Sequence, residues 1–158
     1  MRTVAFLAVL FLSGCAMFSP SEEVFSCPET GLVSRASSVV SNGAEARIGG
    51  FSGECRFEKN RVEISLTLPF TARKGAADPP LKEEKLSYFI AVLSPEEDIL
   101  QRRSFSTKIE FDKDGNGGSM EEHVLKIPMA NPSEAHRYKV AIGFAQTTDQ
   151  LKHNKESK

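Results

Sequence analysis

At 158 residues, with 40% hydrophobic and 26% charged side chains, the chain has the size and composition of one folded domain. Its 20 basic and 21 acidic residues leave a formal charge of −1, with neither sign gathered into a long block, so the electrostatic footprint of a nucleic-acid binder is missing. Phe occurs 11 times, Tyr twice and Trp not at all, a set suited to a packed interior more than to a stacking platform, and the phenylalanines are expected in the core.

The chain opens MRTVAFLAVLFLSGC. Arg2 supplies a basic start, Val4 to Leu12 an apolar run, and Ser13 and Gly14 the small residues that close a secretory leader over 1–14. The run is too short to span a bilayer, which takes roughly 20 apolar residues as a helix. Leu12-Ser13-Gly14-Cys15 resembles the lipobox of bacterial lipoproteins. That resemblance implies cleavage before Cys15 and acylation of its thiol, an anchor in which several chains hold a soluble domain where one would not. The alternative is a leader cut further on, after Gly14-Cys15-Ala16, with Cys15 merely one more small residue. By resemblance to the sorting rules of enteric lipoproteins, Ala16 instead of Asp implies the outer membrane, facing the periplasm. The overall pattern also resembles small envelope lipoproteins of proteobacteria, a likeness that implies place and no activity.

Residues 15–26 read as the lipidated cysteine and a polar tether, 27–150 as the domain, and 151–158 as a polar tail. Cys27 and Cys55 are expected to pair in an oxidising compartment. Closing a loop of about 29 residues constrains the unfolded chain by roughly 3.5 kcal/mol. A redox or metal pair would call for CxxC spacing or clustered histidines, and the sequence offers neither.

Along the domain, Leu32 to Val40 suggests a first strand. Gly49 to Phe57 then leads through a Lys59-Asn60 turn into a strand from Arg61, as a hairpin would. Val62, Ile64, Leu66, Leu68 and Phe70 alternate with Glu63, Ser65, Thr67, Pro69 and Thr71, the period of a strand with one buried face. Thr71 to Pro80 reads as a loop able to carry function. Leu86 to Leu93 is apolar on both faces, which predicts a central strand, and Ser94 to Asp98 leaves room only for a turn. Phe105 to Phe111 and Tyr138 to Phe144 alternate again, and His123 to Met129 is a shorter strand whose Pro128 points to an edge. The polar connection from Asn131 ends on Tyr138 in the manner of a tyrosine corner. Seven or so such strands predict an all-β, antiparallel β-sandwich of immunoglobulin-like form, with a small β-barrel as the alternative.

The stretch Asp112 to His123 begins like an EF-hand loop, with Asp112, Asp114 and Asn116 as candidate oxygen ligands and Gly117 following, but His123 stands where a bidentate Glu is required. Asp, Asn and Gly equally favour a hairpin turn, the preferred reading. No nucleophile elbow, HExxH, Walker sequence or GxGxxG is present, so neither a catalytic residue nor a cofactor is expected. The expected function is a membrane-anchored binding or structural module for another envelope component, with a periplasmic carrier of a small apolar ligand as the alternative.

Overall fold

A computed structural model describes residues 25–75, 81–148 and 150. The leader, Cys15, most of the tether, residues 76–80 and the 151–158 tail lie outside the described residues, and the first four residues of the stretch 71–80, expected as a loop, belong to a strand. The strands are β1 (Glu29–Leu32), β2 (Ser38–Ser41), β3 (Ala44–Ile48), β4 (Ser52–Glu58), β5 (Arg61–Lys74), β6 (Glu83–Leu93), β7 (Ile99–Glu110), β8 (Asn116–Pro128) and β9 (Lys139–Phe144). They form two facing sheets that do not close into a barrel, an all-β sandwich. One sheet runs β1-β9-β6-β7; the other is built on β5.

The clearest alternation in the sequence becomes the backbone of the molecule. Val62, Ile64, Leu66, Leu68, Phe70 and Ala72 are all buried on one face of β5, while Ser65 and Thr71 between them are exposed. β5 pairs with β8 from Arg61 to Arg73, with β4 from Arg61 to Thr67 and with β3 from Phe70 to Lys74. A strand has only two edges, so β3 and β4 share the edge opposite β8, end to end. Pro69 sits at their junction. Its carbonyl accepts from Gly49 N–H at 2.8 Å. In an antiparallel ladder the amide and carbonyl of one residue point the same way, so the donor that proline lacks falls in the gap between two strands. This is how a proline is tolerated inside a central strand.

β6 lies between β9 and β7, as its apolar character on both faces requires. Its inner residues Leu86, Tyr88, Ile90 and Val92 join the core with Ile109, Val140, Ile142 and Phe144. A 3-10 turn at Ser34–Ala36 covers part of the outer face, where a Cβ on Gly143 would stand 2.7 Å from Ala36 Cβ. β1 runs parallel to β9, so the beginning and end of the domain are neighbours in one sheet.

Four further expectations are corrected. The run Leu32 to Val40 is two strands in different sheets, broken by the Ser34–Ala36 turn, because its serines and Arg35 offer no continuous apolar face. The strand expected from His123 begins at Asn116, since its first half alternates polar with small residues and so lacks an apolar period. The connection before Tyr138 is a 3-10 turn, Pro132–Arg137, capped by Asn131. Tyr138 bonds Ala135 only through its main chain, and among the described residues its hydroxyl makes no tyrosine corner. The phenylalanines also divide: Phe70 and Phe144 are buried, but Phe25 is exposed and Phe89 lies on an outer face beneath Arg102, 4.3 Å from ring centroid to guanidinium.

Candidate functional site

The two loops singled out in the sequence meet. β5 continues through Lys74 and β8 starts at Asn116, with Arg73 facing Asn116 in register and Lys74 N–H donating to Gly115 O at 2.9 Å. Gly75 N–H donates to Gly43 O at 2.7 Å, which brings the β2–β3 turn to the same end of the sandwich. That turn is Asn42-Gly43, with φ of 49° and 80°, the left-handed pair that a two-residue hairpin needs. Three loops distant in sequence therefore form one continuous end, beside a groove of about 480 Å³ lined by Glu45, Arg47, Thr71, Arg73 and Asn116.

The Asp112–Asn116 segment closes on itself. Asp112 Oδ1 accepts from the N–H groups of Asp114 (2.9 Å) and Asn116 (2.8 Å), and Gly115, at φ 81°, donates to Asp112 O. These are the bonds of a tight hairpin turn. Among the described residues no three His, Cys, Asp or Glu side chains gather as a metal site would require. Behind the loops Glu84 is buried, and both its carboxyl oxygens accept from Asn42 Nδ2, at 3.0 and 3.1 Å. Lys74 Nζ donates to Leu81 O at 3.2 Å and lies 5.8 Å from the Phe111 ring centroid.

A second polar group lies inside the sandwich, along the side where β7 and β8 form the edges of their sheets. The Tyr88 hydroxyl bonds His123 Nε2 at 2.7 Å, and Phe105 packs against the imidazole with centroids 4.3 Å apart. Thr107 and Ser119 share a 2.6 Å hydroxyl bond nearer the hairpin. Burial lowers the His123 pKa, with Glu121 pulling the other way; burial, with Glu121 adding to it, raises that of Tyr88 far above the ordinary phenol range. The neutral imidazole and neutral phenol therefore bond each other, the tautomer of His123 setting which of the two donates. The signal for this cluster was present. Ser119, Glu121 and His123 occupy the same parity as the buried Leu125 and Ile127, which places polar groups on an inward face.

At the opposite end Cys27 and Cys55 form a disulfide with Cα atoms 5.9 Å apart, tying the segment before β1 to β4. Phe25 packs beside Phe57, with the rings tilted and their centroids 5.2 Å apart. In comparisons with protein-family models, curated proteins and solved structures, nothing matches this chain.

Proposed function

We propose that the chain is an envelope lipoprotein, held through acylated Cys15 at the outer membrane and facing the periplasm, whose sandwich offers its loop end to a protein partner in the envelope. The reading rests on one observation above others: the β2–β3 turn, the end of β5 and the β7–β8 turn are bonded together into a single polar surface. A rigid sandwich that gathers loops at one end is a common platform for recognition. The disulfide supports the placement, because such bridges persist in oxidising compartments, and the lipobox resemblance of Leu12 to Cys15 supports the anchor. Binding, with no catalytic step and no cofactor, is the role assigned.

Two experiments test it. Replacing Cys15 by Ser should abolish incorporation of a labelled fatty acid and move the protein from the membrane fraction to the soluble fraction; a chain that stays membrane-bound and labelled would remove the anchor from the reading. Photo-crosslinking residues placed in turn at Lys74 and Asn116 should give the same discrete protein adduct, since the two positions adjoin. A lipid or small molecule co-purifying without any protein adduct would replace the module with the carrier.

A further inference from the structure

β8 is a thirteen-residue strand that, among the described residues, pairs along its whole length with β5 and on its other edge only at Gly117, with Phe111. Its register against β5 is unbroken from Asn116 to Pro128, so the direction of each main-chain group can be worked out from Pro69. Pro69 points its carbonyl at Gly49, away from β8, and Met120 faces Pro69. Met120 therefore turns its own amide and carbonyl away from β5, and by alternation so do Glu122, Val124 and Lys126. Among the described residues the chain at the end of β7 bridges this edge through main-chain atoms only at Phe111–Gly117, next to the hairpin; Thr107–Ser119 and Phe105–His123 are side-chain contacts on the inner face. From Met120 onward, among the described residues, no main-chain bond is made on this edge, which leaves a row of donors and acceptors. It has no bulge, and its proline comes only at the last residue, so the usual protections are few.

The same four residues point their side chains to the outer face. Met120 and Val124 are 65% and 57% exposed, among the most exposed large apolar side chains described. Glu122 and Lys126 lie two positions either side of Val124. A twofold axis through Val124 would set two β8 strands antiparallel with Val124 opposite Val124 and each Glu122 opposite the other chain's Lys126. Both main-chain bonds would form at every one of these pairs, and opposite charges would face each other twice. A twofold axis at Glu122 would instead oppose like charges. We infer that β8 is a homodimer interface: a second copy of this chain pairs with it edge to edge, in the register centred on Val124, and joins the two β5 sheets into one. This does not depend on the partner assigned to the loop end, which lies beyond the start of β8.

The test uses the full-length chain in its membrane. Val124→Cys should yield a covalent dimer on mild oxidation, because an antiparallel pair brings the Cα atoms to about 5.5 Å. The parent protein, with its own three cysteines, is the blank, and Lys108→Cys on the β7 edge is the position control. Glu122→Lys should abolish the crosslink and Glu122→Lys with Lys126→Glu in one chain should restore it, each variant being checked for an intact Cys27–Cys55 bridge and native circular dichroism. A folded Val124→Cys protein that stays monomeric, a crosslink to a different protein, or a charge reversal that fails to restore the dimer would each overturn the proposal.

Discussion

Asn42 does two separable things, since its backbone takes the left-handed turn and its amide is the hydrogen-bond donor to buried Glu84. Asn42→Gly keeps the first and deletes the second. The expected loss is about 2 kcal/mol of stability by denaturant unfolding, the cost of leaving a buried acceptor unpaired. Tyr88 and His123 give a pH signature. His123 has a folded-state pKa below its ordinary 6.5, so as pH falls through that value the unfolded chain takes up its proton first and stability drops until the folded form also protonates. Tyr88 acts at the other extreme, because the unfolded phenol ionises first above about pH 10. Unfolding midpoints should therefore fall as pH drops through about 6.5, the ordinary histidine value, and the fall should shrink in His123→Gln; an unchanged slope in that variant would remove His123 from the explanation. Neither residue was legible as part of a pair. Tyr88 sat in an apolar run, and although the parity of β8 turns His123 inward, neither stretch says which residue it meets across the two sheets.

The elements with a strong period were read correctly because burial of one face dictates that period, as in β5, β6 and β9. Short strands escaped. β3, Ala44–Ile48, buries only Ala44, Ala46 and Ile48, and alanine carries little apolar signal. The β7–β8 hairpin contains the tightest fit. A Cβ on Gly117 would lie 2.5 Å from Glu110 O and 2.6 Å from Ile109 Cγ2, so a main-chain atom, which cannot swing aside, would have to move. Gly117→Ala should cost about 1–3 kcal/mol by the overpacking rule and shift amide resonances from Ile109 to Asn116. Gly118→Ala, whose Cβ would lie 3.1 Å from Phe70 O, serves as the milder comparison. At the other end of the sandwich, opening the disulfide by Cys27→Ala and Cys55→Ala together should lower stability by about 3.5 kcal/mol, the loop-closure value for this separation.

For the molecule as a whole, the two sheets share a core whose centre is β5. Leu68 is fully buried there, and Leu68→Ala should cost about 2–5 kcal/mol. A loss under 1 kcal/mol would mean that the sheets close on the cavity far more readily than a packed interior does. The sandwich itself was readable from strand number and turn chemistry. What could not be read was which strands neighbour which, because pairing between distant segments is decided by the complementarity of whole faces and not by any stretch alone. So the convergence of the Asn42, Lys74 and Asp112 loops came only from the fold.

The parallel pairing of β1 with β9 has a consequence for how the molecule is made. The first strand of the domain is synthesised first and its partner in the sheet last. No early contact can substitute, since β9 is the strand β1 bonds to. Until Lys139–Phe144 has emerged, near the very end of the domain, β6 also lacks one of its two neighbours and leaves Ile90 and Val92 uncovered. A product cut short before Lys139 is thereby marked: it can form the Cys27–Cys55 bridge, yet it presents a bare hydrophobic edge to proteases. The last strand acts as the molecule's own proof of completeness.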